Sequence, residues 1–472
     1  MPTLSLSQND KSPRFRDKRQ TLGLLNTRTF KQQNLNFPFY IAKKVAFSGR
    51  KTFSTNIIRI AIAAVALSVA VMIVTTGLVS GFKQVISEKI FGFWGHIHIE
   101  HLSSNNSFEA LPLETKQPFY PSLDTISKVT YYGQRTILGQ AVPDGFLGLS
   151  ATVEKQTIGG VRHIQMYANK AGVIKTRDQL EGIVLKGIGK DYDWSFLKKY
   201  LIEGDTLSWN DSTMSRSVLI SEQTAKRLKL GIGDKLQVNF VERVQIIRQF
   251  EVIGLYRTGL EEYDRKFAIV DIRQIQKLND WAENEVSGFE VFLDDIRDLD
   301  PIWSDVYYTK LPTNVYANTI KEVYPTIFGW LDLQDTNETV IIALMIIVCF
   351  INMTTVLLII ILERTNMIGI LKALGSNDLN VQQMFLYYSA YILGKGLFWG
   401  NLIGIGLCLI QQHFGIIALS EEAYYVKTAP VNLDFWTVIF LNLGTLIINI
   451  IVLIIPSYLV TRITPVKAIR FK

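Results

Sequence analysis

Four long runs of apolar residues divide the chain, and each run is long enough to cross a membrane as a helix. They cover residues 57–79, 340–362, 385–410 and 435–459. A helix needs about 20 residues to cross the roughly 30 Å of hydrocarbon in a bilayer. One span, an excursion of about 250 residues and three more spans predict an integral membrane α-helical protein with four transmembrane helices. The same pattern excludes a soluble enzyme.

The spans and the segments between them give a predicted division of the whole chain. Residues 1–36 are polar and basic without an apolar signal-peptide core, which is typical of a disordered cytoplasmic leader. Residues 37–53 mix aromatic and basic side chains, which favours an interfacial amphipathic helix. The remaining boundaries are transmembrane helix 1 at 54–82, an inserted domain at 83–335, transmembrane helix 2 at 336–363, a coupling helix at 364–383, transmembrane helix 3 at 384–411, a loop at 412–434, transmembrane helix 4 at 435–461 and a tail at 462–472.

The inserted domain alternates between strand-like and helix-like segments. Strands are predicted at 95–100, 217–220, 235–240, 249–256, 267–270 and 288–293, because these runs are rich in β-branched and aromatic residues or alternate between polar and apolar positions. Helices are predicted at 222–230 and 272–281, where Ser221 and Asp271 are suitable N-cap residues. We therefore expect a large α+β extracytoplasmic domain between helices 1 and 2, divided into two lobes. The first lobe begins at about residue 84 and resumes near residue 250, and the second lobe is inserted between these two parts.

The charge distribution predicts the orientation in the membrane. The net charge of +7 arises from the segments before the first span and at the C terminus: residues 1–82 hold twelve basic and two acidic residues. Residues 83–335 hold 29 basic and 34 acidic residues. By the positive-inside rule both termini are cytoplasmic, while the inserted domain and loop 412–434 lie on the outer side of the membrane. An acidic folded domain argues against a nucleic-acid partner.

A short amphipathic helix is predicted between the second and third spans. Met367, Ile370, Leu371 and Leu374 recur at the spacing of one helical face, and Gly375 is a suitable helix stop. Ser376 or Asn377 can cap the helix that follows. The apolar face either docks on a soluble partner or rests on lipid headgroups.

The third span contains two features that each have two interpretations. Gly396, Gly400 and Gly404 form a stripe of small residues, which allows close helix packing either within the chain or across a dimer. Lys395 lies in the same span, where a lysine is either functional or extends its ammonium group to the interface.

No catalytic constellation is found in the sequence. A phosphate-binding loop requires G-x-x-x-x-G-K-[ST], and the glycines near Lys190 have the wrong spacing for one. His96, His98 and Glu100 fall on one face of a predicted strand and have the chemistry of zinc ligands, but a polar strand face is the favoured interpretation. Cys349 and Cys408 lie inside apolar spans, so we expect no disulfide in the inserted domain.

Residues 363–375 resemble the signature of the FtsX-like ABC permeases, E-R-x-x-E-I-G-I-L-K-A-L-G. Residues 456–471 resemble the family's closing P-x-x-x-A-x-x-x-x-P-x-x-A-L-R. Met367 occupies the position where the family usually has an acidic residue. The resemblance implies that an ATPase-coupling helix contains Glu363, Arg364, Met367, Ile368, Gly369, Ile370, Leu371, Lys372, Ala373, Leu374 and Gly375.

Within this family the chain is most similar to the lipoprotein-releasing, Lol-type transmembrane subunits. The matching segments are 80–82, 90–97, 185–189, 256–264 and 286–291. The likeness extends from about Phe37 to the C terminus.

The resemblance implies a non-catalytic permease subunit of an ABC exporter, with no cofactor of its own. A separate ATPase chain would bind ATP and Mg²⁺, and its closure would move the coupling helices and, through the spans, the inserted domain. The implied partners are this ATPase, a second copy or a sister permease as a dimer, membrane lipids, lipoprotein cargo and a periplasmic lipoprotein carrier. The short connection 241–248 is a departure from the carrier-binding subunit type, whose hairpin hook lies there. A homodimeric exporter and the sister subunit without a hook both fit.

Two rival functions belong to the same superfamily. A MacB-like efflux component clasps a periplasmic adaptor, but it usually carries its ATPase on the same chain. An FtsX-like scaffold regulates cell-wall hydrolases, but its outer domain is typically much smaller than 250 residues.

Overall fold

The computed structural model describes residues 38, 40, 53–104, 111–137, 140–144, 150–175, 180–210, 212–240 and 246–463. The predicted leader, nearly all of the predicted interfacial helix and most of the predicted tail lie outside these residues. The chain forms two compact units. Among the described residues, one unit comprises those of 53–65, 349–396 and 445–463, and the other comprises those of 66–348 and 397–444.

Four of the described helices are long and apolar enough to cross a membrane, as the hydropathy pattern predicts. The α-helices are α1 (Phe53–Trp94), α2 (Ser195–Tyr200), α3 (Glu222–Leu228), α4 (Glu261–Lys266), α5 (Ile272–Leu278), α6 (Leu299–Asp305), α7 (Ile320–Val323), α8 (Pro325–Glu363), α9 (Thr365–Ala373), α10 (Asp378–Phe414), α11 (Glu421–Tyr424) and α12 (Phe435–Ser457). The long helices are α1, α8, α10 and α12.

The inserted domain is built on one large sheet. Its described strands, together with those of three small two-stranded sheets, are β1 (Ile97–His101), β2 (Leu113–Glu114), β3 (Thr130–Gln134), β4 (Thr136–Ile137), β5 (Gln140–Ala141), β6 (Thr152–Gln156), β7 (Val161–Lys175), β8 (Leu180–Ile188), β9 (Leu201–Gly204), β10 (Ser217–Ser221), β11 (Lys235–Phe240), β12 (Ile246–Tyr256), β13 (Phe267–Asp271), β14 (Glu285–Val286), β15 (Gly288–Leu293) and β16 (Val315–Thr319).

The large sheet has ten strands, and its main path runs β11-β12-β10-β13-β8-β7-β15-β1-β16, with β9 added beside β12. Strands β10 and β12 are parallel, as are β13 and β8, while the other pairs are antiparallel. An additional pairing between β11 and β7 closes six strands into a ring. Strands assigned to both predicted lobes, such as β11 and β15, belong to this one sheet.

Local sequence signals explain several of these elements. The Ser221 hydroxyl accepts a hydrogen bond from the Thr224 N–H at the start of α3, and the Asp271 carboxylate caps α5 in the same way. Strands β11 and β12 form an antiparallel pair in which Phe240 lies opposite Ile246. Only five residues, 241–245, connect these paired strands, which agrees with the predicted lack of a long hairpin.

Two long helices extend well past the predicted limits of their spans. Helix α1 continues to Trp94, twelve residues beyond the predicted end, because no proline interrupts it before Gly95, where φ is +76°. Helix α8 begins at Pro325, a residue favoured in the first turn because its missing N–H leaves no intrahelical bond unmade. The predicted fold class is confirmed, with a large domain between the first and second long helices.

The chain enters and leaves the inserted domain on neighbouring strands. Helix α1 runs into β1 across two residues, and β16 leads through the short α7 into α8. Strands β1 and β16 pair side by side, with Ile99 opposite Ala317. The two membrane helices are therefore joined by covalent bonds and by a hydrogen-bonded strand pair to one edge region of the sheet.

Candidate functional site

The predicted coupling segment 364–383 consists of two helices separated by a tight turn. Helix α9 ends at Ala373, and Gly375 adopts a φ of +90°, a left-handed conformation that costs glycine little. The Ser376 N–H donates to the Leu371 carbonyl and the Gly375 N–H donates to that of Lys372, both at 3.0 Å. These two hydrogen bonds close the C-terminal end of α9, as the position of Gly375 predicts. Helix α10 then begins at Asp378.

The predicted apolar face of α9 is divided between the protein surface and the interior. Ile370 and Leu374 are 48% and 81% exposed, whereas Met367 and Leu371 are half-buried. Two adjacent apolar side chains at the tip of the helix are therefore available to a partner surface.

The other signature residues position α9 rather than forming its exposed tip. Ile368 and Gly369 are buried. Arg364 lies between α8 and α9, and its backbone N–H donates to the Ile360 carbonyl in the last turn of α8 at 3.0 Å. Glu363, at the end of α8, and Ala373, at the end of α9, are exposed.

Lys372 joins the two family motifs that the sequence places about 90 residues apart. Its ammonium group donates to the carbonyl oxygens of Val460 and Ile463, both at 2.9 Å, and to that of Thr461 at 3.4 Å. It also forms an ion pair with Asp378, with 2.8 Å between Nζ and Oδ1. One buried lysine thus fixes the exit of α9, the start of α10 and the C-terminal segment together. The side chain has no spare position for a ligand.

The glycine stripe of the third span packs against α1 of the same chain. A Cβ atom at Gly396, Gly400 or Gly404 would lie 2.5 Å from Val65 Cγ1, 2.7 Å from Val69 Cβ or 3.1 Å from Ala70 Cα, respectively. Such distances are too short for side-chain packing. The backbones of α10 and α1 can therefore approach each other closely because these three residues have no side chain. The stripe serves packing within the chain.

Lys395 lies near the middle of α10 and its side chain is exposed on the outside of the protein. Its ammonium nitrogen lies 4.6 Å from the centre of the Tyr391 ring, one helical turn towards the start of α10. A cation over an aromatic ring is attracted by the negative face of the ring. The lysine therefore turns back along the helix, as a side chain that reaches for the interface does.

The C-terminal end of α1 is fixed to the sheet by a buried lysine. The Lys186 ammonium group on β8 donates to the Phe93 carbonyl at 2.6 Å. It also lies 4.9 Å from the centre of the Phe93 ring and 4.7 Å from that of Trp94. A cation at a helix C terminus satisfies an unpaired carbonyl and interacts favourably with the helix dipole.

Glu290 on β15 neutralises this lysine. The Lys186 Nζ and Glu290 Oε1 atoms are 2.7 Å apart, and both side chains are essentially inaccessible to solvent. The Gln165 amide on β7 donates to the other carboxylate oxygen at 2.8 Å. Burial lowers the pKa of Lys186 and raises the pKa of Glu290, and each charge opposes the shift of the other. The pair links three strands to the helix end.

The His96, His98 and Glu100 group lies next to this pair and is not a polar strand face. His96 and His98 are buried, so the favoured interpretation was wrong about their exposure. The Leu293 N–H donates to His96 Nδ1 at 3.2 Å, and His98 Nε2 lies 2.6 Å from the Trp94 carbonyl. The Glu100 carboxylate accepts a hydrogen bond from the Tyr167 hydroxyl.

The hydrogen bonds of His96 and His98 indicate a structural role for both histidines. Each histidine uses a ring nitrogen to satisfy a backbone group at the join between α1 and the sheet. Among the described residues, no group of three or more His, Cys, Asp and Glu side chains is placed to hold a metal ion.

Sequence reasoning did not identify the Lys186–Glu290 pair. Its signal was present, because both residues interrupt otherwise apolar strands within segments 185–189 and 286–291. A lysine and a glutamate at buried strand positions are expected to be paired. The pattern did not reveal that β7 lies between the two strands.

Two family models match the chain in succession. The MacB-like periplasmic core domain matches residues 60–306, more than half of the chain, and the FtsX-like permease C-terminal domain matches residues 339–465. The second match includes α9 and the C-terminal segment held by Lys372.

Curated proteins match over nearly the whole chain. The lipoprotein-releasing system transmembrane protein LolC of Xylella fastidiosa is 22% identical over 438 residues, which are 90% of this chain and 96% of that protein. The corresponding LolE protein of Haemophilus influenzae is 23% identical over 459 residues, 92% of this chain and 99% of its own. Among solved structures, the extracellular domain of the ABC-type transporter YknZ matches with a TM-score of 0.29 and 14% identity, over 47% of this chain and 99% of that chain.

The order of the matched domains is the order of the folded elements. The inserted domain follows α1, and the three remaining long helices follow the inserted domain. The chain belongs to the family of ABC transporter permease subunits that have a MacB-like periplasmic core domain followed by an FtsX-like C-terminal permease domain.

Proposed function

We propose that this chain is the transmembrane subunit of an ABC exporter that releases lipoproteins from the inner membrane to a periplasmic carrier. A separate ATPase chain supplies the energy, and the released lipoproteins are the cargo. The observation that carries the proposal is the near-full-length similarity to LolC and LolE proteins, which are named for lipoprotein release. The exporter acts by transmitting motion from the ATPase to the inserted domain, without chemistry of its own.

The exposed tip of α9 supports an ATPase contact. Ile370 and Leu374 present an apolar surface, and the turn at Gly375 together with Lys372 holds the helix in a fixed position. A rigid apolar tip fits a groove on a soluble partner, because little conformational freedom is lost on binding. We assign this contact to the ATPase.

The continuity of α1 supports transmission of motion to the inserted domain. The helix runs unbroken from Phe53 to Trp94, and its end is bonded to Lys186 in the sheet. A helix that is fixed at its end by buried hydrogen bonds transmits a displacement as a rigid rod. In the proposed orientation both termini are cytoplasmic and the inserted domain is periplasmic.

The partner permease is either a second copy of this chain or a sister subunit. The short 241–245 connection between β11 and β12 favours a subunit without a carrier-binding hook. A homodimer would then contact the carrier through another surface of the inserted domain.

The proposal is tested by depletion of the protein in its native host. Inner and outer membranes are separated, and a triacylated lipoprotein that normally reaches the outer membrane is followed by immunoblotting. Accumulation of this lipoprotein in the inner membrane is expected, and the wild-type gene should restore its transfer. An integral β-barrel protein of the outer membrane serves as the cargo control, because its export does not involve an acyl anchor.

An unchanged lipoprotein distribution after depletion would defeat the proposed cargo. The efflux and cell-wall functions would then be tested by drug sensitivity and by cell-chain formation, respectively.

A further inference from the structure

The loop between α10 and α12 is a folded element that contains α11. Its two arms are joined by hydrogen bonds from the Leu419 N–H to the Lys427 carbonyl at 2.9 Å and from the Ala429 N–H to the Ile417 carbonyl at 3.0 Å. The Gln411 amide, in the last turn of α10, donates to the Ala429 carbonyl at 3.1 Å. The loop is therefore connected firmly to the end of α10 and can bear a load.

Arg257 connects this loop to the inserted domain. The residue directly follows β12, and its guanidinium group contacts two carboxylates. One is Glu222 on α3, at 3.0 Å, and the other is Glu421 on α11. The planar guanidinium group presents its N–H donors in a fixed fork, so it can hold both carboxylates at once in a defined geometry.

Helix α1 makes a second contact with the same loop. The Lys89 ammonium group donates to the Tyr425 carbonyl at 2.7 Å, and the lysine is only 7% exposed. A Cβ atom at Gly259, where φ is +78°, would lie 2.6 Å from both Lys89 Nζ and Glu421 Oε1. The turn after Arg257 thus needs glycine both for its backbone conformation and for its close approach to the two charged groups.

The turn that carries Arg257 is itself fixed by a buried carboxylate. Asp264 accepts hydrogen bonds from the Thr258 hydroxyl at 2.7 Å, from the Thr258 N–H at 3.2 Å and from the Gly259 N–H at 3.0 Å. These bonds hold residues 257–259 in place before any contact with the loop is made. The backbone that positions the Arg257 side chain is therefore rigid.

The path of the chain gives this contact a mechanical role. The inserted domain is joined by covalent bonds to α1 and α8, whereas loop 415–434 connects the end of α10 to the start of α12. The Arg257–Glu421 contact links that loop to the domain.

We propose that Arg257 and Glu421 form a permanent strut that transmits displacement of α10 and α12 to the inserted domain. Arg257 is then a positioning residue for lipoprotein release. This inference rests on the proposed function, since release is the output that the strut serves. The strut stays closed throughout the ATPase cycle.

Charge reversal tests the contribution of the strut to release. The complete exporter is reconstituted in liposomes, and lipoprotein transferred to a soluble carrier is measured per ATP hydrolysed. Arg257→Glu and Glu421→Arg are each expected to lower this ratio at least fivefold. The double variant is made together with Glu222→Gln, so that no second carboxylate faces the new glutamate at position 257. It should return the ratio to within twofold of wild type, because opposite charges again face each other at positions 257 and 421. The matched control is the exchange of the exposed Asp300–Lys321 pair elsewhere on the domain, which should leave the ratio unchanged.

A ratio that falls equally in the double variant, or that falls in neither single variant, would overturn the strut. Unfolding is separated from loss of contact by the double variant, which keeps both substitutions but restores the pairing.

Chemical cross-linking tests the geometry independently of cargo. Cysteines at positions 257 and 421 are joined by a short bis-maleimide in native membranes, and both native cysteines are buried. Equal cross-linking with and without ATP is expected, and the cross-linked exporter should retain at least half of its release activity. Cross-linking that disappears during ATP hydrolysis, or that stops release, would show that the contact must open. If the wild-type exporter releases no lipoprotein while cross-linking occurs as expected, the proposed cargo fails but the strut geometry does not.

Discussion

Lys186 and Glu290 form an ion pair with 2.7 Å between Nζ and Oε1, and neither side chain is accessible to solvent. The two residues lie on β8 and β15, with β7 between them in the sheet. The lysine also bonds to the last turn of α1 through the Phe93 carbonyl. The helix that enters the inserted domain is therefore held by a charged group inside the core, where water does not compete for the contact.

Removing one member of this pair should destabilise the protein strongly. Lys186→Met leaves the Glu290 carboxylate buried without a counter-ion, and breaking such a pair costs about 3–5 kcal/mol. Thermal unfolding of the full chain in detergent measures the loss. Lys199→Met is the control, because its pair with Glu88 is about half exposed and should contribute about 1 kcal/mol or less.

The double variant Lys186→Met with Glu290→Leu should recover most of the stability, since no unpaired charge remains. Equal stability of wild type and Lys186→Met would mean that the pair does not support the join.

Close packing between α10 and α1 makes a second prediction. Gly400→Ala should lower stability by about 1–3 kcal/mol, because its methyl group would lie 2.7 Å from Val69 Cβ and 2.8 Å from the Ala66 carbonyl oxygen. Gly406→Ala on the same helix is the matched control, since no atom lies within 4 Å of its added Cβ. The control should be neutral or slightly stabilising, because alanine favours helix. The same change in melting temperature for both variants would refute steric packing at Gly400.

The local features of the fold followed from the sequence because they depend on neighbouring residues. The strands at 235–240 and 288–293 begin and end as predicted, and Ser221 and Asp271 cap the helices that follow them. Each of these features reflects side-chain alternation or a single capping bond. The break at Gly375 was predictable for the same reason.

The order of the strands did not follow from the sequence, because it depends on distant pairings. The long strand β7 was not predicted, although it contacts β8, β15 and β11. Its residues include Arg162, Gln165 and Lys170, which break the apolar pattern of a buried strand. The extension of α1 to Trp94 was missed because the polar residues at its exposed positions resemble the start of a soluble domain.

The exposed tip of α9 should bind the ATPase. Leu374→Asp places a charge on the most exposed apolar side chain of the helix, and loss of a central apolar contact typically costs about 2 kcal/mol, or roughly 30-fold in affinity. Co-purification of the ATPase with the tagged permease measures binding. Leu180→Asp, at a similarly exposed leucine of the inserted domain, should co-purify normally. Undiminished binding by Leu374→Asp would exclude this tip as the ATPase contact.

Stability should fall in mild acid because of His96. Burial lowers the pKa of this histidine to about 3 in the folded protein, whereas it is near 6.5 in an unfolded chain. Below pH 6.5 the unfolded chain binds a proton that the folded chain excludes. The contribution of His96 is therefore complete above pH 6.5 and is lost progressively as the pH falls towards 3. At pH 5 the loss amounts to about 2 kcal/mol.

The variant His96→Asn isolates this effect. In the wild type, His96 Nδ1 accepts a hydrogen bond from the Leu293 N–H at 3.2 Å, and the asparagine side-chain oxygen can accept the same bond. Unlike histidine, asparagine does not titrate. Between pH 7 and pH 5 the wild type should lose about 2 kcal/mol more than this variant in chemical unfolding of the full chain in detergent. Parallel stability curves for wild type and His96→Asn would mean that His96 becomes protonated without unfolding. The histidine would then be open to water, and the join between α1 and the sheet would be looser than the buried contacts require.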